Sequence, residues 1–392
     1  VQGESEAGPE AFNIALAEKV YNEYYDKMFR TMSNSYKLLA KKPLEDAKYR
    51  VLLAIEAAQK SKKARSCSIL ANYASASLRY EGLPAKLNPI IRSLMDSVKE
   101  ERNEKLQKLS GDSVIFLIEQ LVSNEKTKVS NKIVKNLCGF LCVDTAEVPE
   151  FSDNSSCKDI ILTLIKEYNI NSAKDDARVI KMTEDAQIKR RGGLYTLSKL
   201  LTEFGKDTLI KAPQFKMCLF DPLSKLSEIQ DQETLNNDLG QSIVDALGIL
   251  RATYCFMDSE LQKEEVIPKF PVFLKFLKSD YSVFTYSTAR LFADFAKTSP
   301  LQVMSFVIRE VLPLMNSAGS IIDRQGATEL VYHLSSSMGT EILPYVIFLI
   351  VPLLGRMSDS DNSVRNLATT TFASIIKLVP LEAGIADPEG LP

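Results

Sequence analysis

The chain has 392 residues, 48 Lys and Arg against 50 Asp and Glu, and a formal net charge of −2, with 45% hydrophobic and 25% charged residues. These are the proportions of an ordinary soluble protein with enough apolar side chains for a continuous core, and the near-balanced charge gives the chain as a whole no polyanion-binding signature. The longest apolar run, Ile342 to Leu354, is shorter than the roughly 20 residues a membrane span needs and carries Pro344 and Pro352, so no membrane insertion is expected.

Six cysteines, Cys67, Cys138, Cys142, Cys157, Cys218 and Cys255, are scattered along a chain with no signal peptide, and they read as reduced thiols of an intracellular protein. Cys138 and Cys142 are spaced to share a helix face as half a metal site. Zinc needs about two more ligands and the chain has one histidine, His333, so small buried residues are the better reading. A sequence that opens on Val1 and stops at Pro392 in a turn-like stretch looks cut from something larger.

Residues 1–10 read as a flexible lead, and Ala11 to Ala40 as one long helix with Leu16, Val20, Tyr24 and Met28 on a stripe. Tyr21, Tyr24, Tyr25 and Phe29 crowd that helix; without a dense basic pattern beside them they are core packing rather than a stacking platform for bases. Lys60, Lys62, Lys63 and Arg65 form the densest basic cluster of the first half, a solvated turn by default and otherwise a phosphate contact. Helices follow at Ile90 to Val98, Glu104 to Val122 and Lys132 to Cys142, completing a first helical block over 1–144.

From Asp144 the composition turns polar. Residues 145–187, with one helix expected from Lys158 to Tyr168, read as a linker or disordered insertion because they lack the apolar content that repays ordering. Lys189, Arg190 and Arg191, a second candidate basic contact patch, precede Gly192-Gly193. That diglycine lacks phosphate-loop spacing and reads as close helix packing. Helices over 213–229, 236–254, 266–278, 285–297, 301–315 and 322–338 lead to the last stretch, and 381–392 reads as a tail towards a further domain.

That last stretch sets the fold class. Ile342 to Leu354 is apolar almost all round, as in a helix enclosed on several sides; after a polar turn, Val364, Leu367, Ala368, Phe372, Ile375 and Ile376 lie on one helical face. Similar second helices recur around Ala246, Ala289, Ala327 and Ala368, and prolines near the middle of the first helix recur at Pro271, Pro313 and Pro352, at intervals near forty. Two helices per forty residues is the period of HEAT or armadillo arrays, so the expected fold is all-α, an α-solenoid of HEAT-like helical hairpins over 188–380. Arg324 and Arg365, each three residues before its alanine, and Asp359 and Asp361 in the turn fit the HEAT pattern of a turn aspartate and an arginine opening the second helix.

No G-x-x-x-x-G-K-[ST], G-x-G-x-x-G or G-x-S-x-G spacing occurs, and one histidine supplies neither a triad nor a metal site, so no catalytic, cofactor or metal residue is assigned. His333 reads as packed or half-exposed.

Leu343 to Pro392, together with LPAKLNPIIRSLMDSVKEE (83–101), KIVKNLCGFLCVD (132–144) and the RRGG at Arg190, resembles the region before the motor of the TATA-binding-protein-associated Swi/Snf-type remodellers, fungal members most of all. The resemblance implies a nuclear, ATP-driven machine that removes TATA-binding protein from DNA. In it, helical repeats hold TATA-binding protein, and a DNA-dependent ATPase domain, binding ATP and magnesium and lying outside this chain, pulls on DNA. This segment would then be an arm between the gripping N-terminal repeats and that C-terminal ATPase, touching DNA only through the motor. The alternative is a stand-alone solenoid adaptor of transport-receptor or phosphatase-scaffold type, binding protein partners on its concave face.

Overall fold

The computed structural model describes residues 83, 87–152, 160–169, 177–228 and 235–379. The expected helix over Ala11 to Ala40, its aromatic cluster, the basic cluster Lys60, Lys62, Lys63 and Arg65, and the tail over 381–392 lie outside these residues. The described residues contain no strand, and the fold is an all-α array of HEAT-like hairpins. The chain divides into two compact units, 1–144 with 178–216, and 145–177 with 217–392.

In the first unit α1 (Asn88–Glu100), α2 (Glu104–Ser123) and α3 (Thr127–Leu141) pack through buried Leu94, Val98, Leu117, Leu121, Val134 and Leu137. The Asn103 side chain starts α2 by accepting from the Lys105 and Leu106 amides. In the second unit α4 (Leu162–Asn169) precedes, in chain order, α5 (Ala177–Phe204), which belongs to the first unit from Arg178 onward. The diglycine lies inside α5. A Cβ on Gly192 would sit 1.9 Å from the Val98 carbonyl oxygen, and one on Gly193 2.8 Å from the Phe140 Cβ, so the crossing requires both glycines.

α6 (Pro213–Glu228) carries the chain across the unit boundary at Lys216. The second unit then repeats one plan. Its second helices are α7 (Asn237–Thr253), α9 (Ser282–Thr298), α12 (Ile321–Met338) and α14 (Asn362–Ile376), each packed on the next. Its first helices are α8 (Phe270–Leu277), the pair α10 (Pro300–Phe306) and α11 (Leu312–Met315), and α13 (Val346–Arg356). Ala246, Ala289, Ala327 and Ala368 are all fully buried, as a close crossing demands. Phe270, Phe292, Phe295 and Phe306 fill the hairpin core, with Phe292 stacked on Phe306 at 5.6 Å.

Three expectations need correction. Pro271 and Pro313 are not mid-helix. Pro271 lies in the first turn of α8, and Pro313 opens α11 directly after a five-residue π turn over Val307–Val311. The proline ring collides with the carbonyl four residues back and supplies no N–H, so the helix widens just before it. Of these three prolines, Pro352 alone sits inside its helix.

The apolar run Ile342 to Leu354 is not enclosed on several sides. Its first part is a 3₁₀ stretch, and α13 buries one face through Val346, Leu349 and Leu353 while Ile347 and Val351 are 75% and 72% exposed. Although Ile321–Arg356 is apolar enough by composition for a membrane span, it is interrupted at Gly339, φ 54°, and its first helix buries Arg324 and Glu329.

Nor is 145–187 a uniform insertion. Residues 145–152 and 160–169 are placed in the second unit, and 177–187 form the start of α5. Val148, Phe151 and Ile161 are buried, and Glu147 and Thr163 are paired, whereas Ile160, Ile180 and Met182 are exposed.

Candidate functional site

Four of the predicted repeat residues, Arg324, Asp359, Asp361 and Arg365, meet at one junction. Arg324, on α12, forms a bidentate pair with Asp359, in the turn before α14, with Nε to Oδ2 at 2.8 Å and Nη2 to Oδ1 at 3.2 Å, both side chains buried. Arg356 adds a third contact at 2.8 Å. Burial alone would raise the Asp359 pKa. Hydrogen bonds from Arg324 and the Asp361 amide, with the charges of Arg324 and Arg356, outweigh it and hold the carboxyl below the usual range. Asp361 caps α14 by accepting from the Val364 amide, and Arg365 donates to the Asp359 carbonyl at 2.5 Å. The turn thereby joins one repeat to the next through a charge-assisted pair.

The other predicted group has a different use. Arg191 donates from Nε to Gln107 at 2.7 Å, from Nη1 to Glu104 at 3.2 Å and from Nη2 to the carbonyls of Glu101 and Arg102; Arg190 donates to the Leu141 carbonyl, and the Lys189 ammonium lies 5.1 Å from the Phe140 ring. In the fold these three side chains serve as an internal fastening of α5. A run of like charges in sequence does not show which donors the fold will consume.

The remaining polar constellation is a strap across the second helices of the second unit. Residues 145–152 run as turns and irregular chain over α7 and α9. The Glu147 carboxylate receives Arg251 from α7 and, at 3.0 Å, Arg290 from α9, while both arginines also donate to the Glu147 carbonyl at 3.2 Å. Gln241 reads the backbone on either side of Glu150: its Oε1 accepts the Phe151 amide at 2.7 Å, and its Nε2 lies 3.5 Å from the Pro149 carbonyl. Phe151 stacks against Phe284 at 5.3 Å over Gly240, where a Cβ would come within 2.2 Å of the ring. Val148 sits over Gly248, where a Cβ would meet it at 2.4 Å.

The strap's second anchor is on α12. Thr163 donates its amide (3.1 Å) and hydroxyl (2.5 Å) to Glu329 Oε1, and its hydroxyl oxygen lies 2.9 Å from His333 Nε2. Since the hydroxyl proton goes to Glu329, the imidazole donates from Nε2, as a neutral ring with that tautomer does. Burial raises Glu329 to about 7 against the hydrogen bonds from Thr163; burial, then the charges of Arg290 and Arg251, lower His333 to about 3. His333 is thus a packed residue with a structural hydrogen bond.

Sequence reading missed Glu147, Thr163, Gln241, Arg251, Arg290 and Glu329. One signal was available: Arg251 and Arg290 recur one repeat period apart on successive second helices. Among the described residues no group of three or more His, Cys, Asp and Glu is placed to hold a metal ion.

A family described as "Domain of unknown function (DUF3535)" matches residues 1–218, more than half the chain. The whole chain is 65% identical over 392 residues to the TATA-binding protein-associated factor MOT1 of Saccharomyces cerevisiae, and 38% identical over 398 residues to the TATA-binding protein-associated factor mot1 of Aspergillus fumigatus. Over 81% of its length it is 28% identical to the human TATA-binding protein-associated factor 172. The chain spans 21% of each fungal relative and the match covers 20% of the human one. With a family model matched over more than half its length, this all-α repeat array belongs to the DUF3535 family.

Proposed function

We propose that this chain is the HEAT-repeat scaffold segment of an ATP-dependent transcription regulator that dissociates TATA-binding protein from promoter DNA. Its own part is to couple repeats that grip TATA-binding protein to a C-terminal motor of the Swi/Snf class. The relatives' names support the partner; in this reading the DNA-dependent ATPase, with its ATP and magnesium, lies outside this segment. The site of action is the nucleus, and contact with DNA runs through the motor.

The observation that carries the coupling role is the buried Arg324–Asp359 pair. Repeat arrays transmit force only through neighbour interfaces. A bidentate charged contact in a dry junction fixes the angle between neighbours more tightly than apolar contact alone. The stand-alone adaptor reading is weaker because the strap already covers part of the second-helix face such an adaptor would offer.

The test uses the full-length protein. Arg324→Ala should leave DNA-stimulated ATP hydrolysis in place while slowing release of TATA-binding protein from labelled promoter DNA. Unchanged release, with the junction shown by hydrogen exchange to be loosened, would end the coupling reading. So would DNA-stimulated ATP hydrolysis by this chain alone.

A further inference from the structure

We infer that the face of the second unit made by α7 and α9 is a preformed binding site for a short acidic peptide, and that residues 146–151 of this chain occupy it in cis. The inference does not depend on the coupling role.

The face has the parts a peptide site needs. Gln241 meets one amide and one carbonyl of the bound backbone, a contact indifferent to side chains. Gly240 and Gly248, eight residues apart on α7, leave two cradles, one for an aromatic ring and one for a branched aliphatic side chain. Arg251 and Arg290 clamp a single carboxylate and its carbonyl. The ligand so defined carries a carboxylate, an apolar residue directly after it and an aromatic residue four positions after it.

The face is also held in place by its own helices. Arg251 is fixed from α9 by Asp294 at 2.8 Å, Gln241 by Asp245 at 2.8 Å, and Arg290 lies 5.1 Å from the Tyr286 ring. None of these supports comes from the strap, so Arg251 keeps its carboxylate and Arg290 its ring contact when the strap leaves, and such preorganisation lowers the cost of binding. The second anchor differs, since Glu329 loses its hydrogen bonds without Thr163. The site proposed is therefore the 146–151 half only.

The probe is a fluorescent peptide copying residues 144–152, followed by anisotropy on the 392-residue chain. Glu147→Ala with Phe151→Ala weakens the strap without touching the face. Gly240→Ala with Gly248→Ala fills both cradles while favouring the helix. The strap-weakened chain should bind the peptide, less tightly as salt is raised. The unaltered chain, whose strap competes at high effective concentration, should bind it at least tenfold more weakly. The chain carrying all four substitutions should not bind it.

The proposal fails if the strap-weakened chain binds nothing at about 1 mM peptide, or if the four-substitution chain binds as well as it does. It fails too if weakening the strap unfolds the second unit, which would make 146–151 core rather than ligand.

Discussion

The two units join their helices by different means. In the first, α5 crosses α1 and α3 at Gly192 and Gly193, close enough that backbone meets backbone, and the arginines beside them close the contact on carbonyl oxygens of other helices. The second has one such crossing too, where a Cβ on Gly326 of α12 would lie 2.0 Å from the Leu277 carbonyl oxygen of α8, but it adds joints made by side-chain charge, Arg324 with Asp359 between repeats and Glu147 with Arg251 and Arg290 across two helices. The glycine crossings, in either unit, are intolerant of added volume, and the charged joints of the second are intolerant of lost charge. That asymmetry yields predictions of graded size.

The largest effect is expected at the charged junction. Arg324→Ala leaves Asp359 buried with only Arg356 to balance it, and removal of one partner from such a pair costs about 3–5 kcal/mol. A urea titration followed by circular dichroism reads this directly. A loss below about 1 kcal/mol, the range of an exposed pair, would show that apolar packing alone joins these repeats.

Gly192→Ala comes next, at about 3 kcal/mol, the upper end of overpacking, because the obstacle is the Val98 carbonyl rather than a side chain able to turn away. Gly139→Ala is its control: nothing lies within 4 Å of the added methyl, so the helix should gain up to about 1 kcal/mol. If the two substitutions moved the denaturation midpoint alike, the close approach at Gly192 would not limit this crossing. Ala368→Leu should cost about 1–3 kcal/mol through the crossing of α12 and α14, and an unchanged midpoint would place Ala368 outside that crossing.

The sequence carried the repeat plan because period is a property of apolar and small residues, which Ala246, Ala289, Ala327 and Ala368 display at regular intervals. It carried the Arg324 and Asp359 positions for the same reason, though not that they bond each other. The strap was hidden because it is fastened by few contacts of high quality. Glu147, Gln241 and Thr163 look like surface residues in sequence, and only the fold brings Arg251, Arg290 and Glu329 to them. The α13 reading failed at the opposite point, since an apolar run shows that a helix has faces to cover but not how many of them this chain covers.

The smallest net effect is expected between pH 4.5 and 7 from Glu329 and His333 on α12, and it comes from cancellation. His333 is lowered from 6.5 to about 3, so between those values the unfolded chain binds the extra proton and stability rises with pH. Glu329 is raised from 4.5 to about 7, so between those values the folded chain binds the extra proton and stability falls as pH rises. From pH 4.5 to 6.5 the two slopes oppose and the contribution is flat. Below that window, down to pH 3, His333 acts alone and stability still rises with pH; above it, the half unit up to pH 7 belongs to Glu329 alone, a loss of about 0.7 kcal/mol at 1.36 kcal/mol per unit. Glu329→Gln keeps an acceptor for Thr163 and removes the acid, so its denaturation midpoint should climb from pH 4.5 to 6.5 where that of the unaltered chain stays level. Parallel profiles for the two chains would show that Glu329 titrates in its ordinary range and that the junction with Thr163 is open to water.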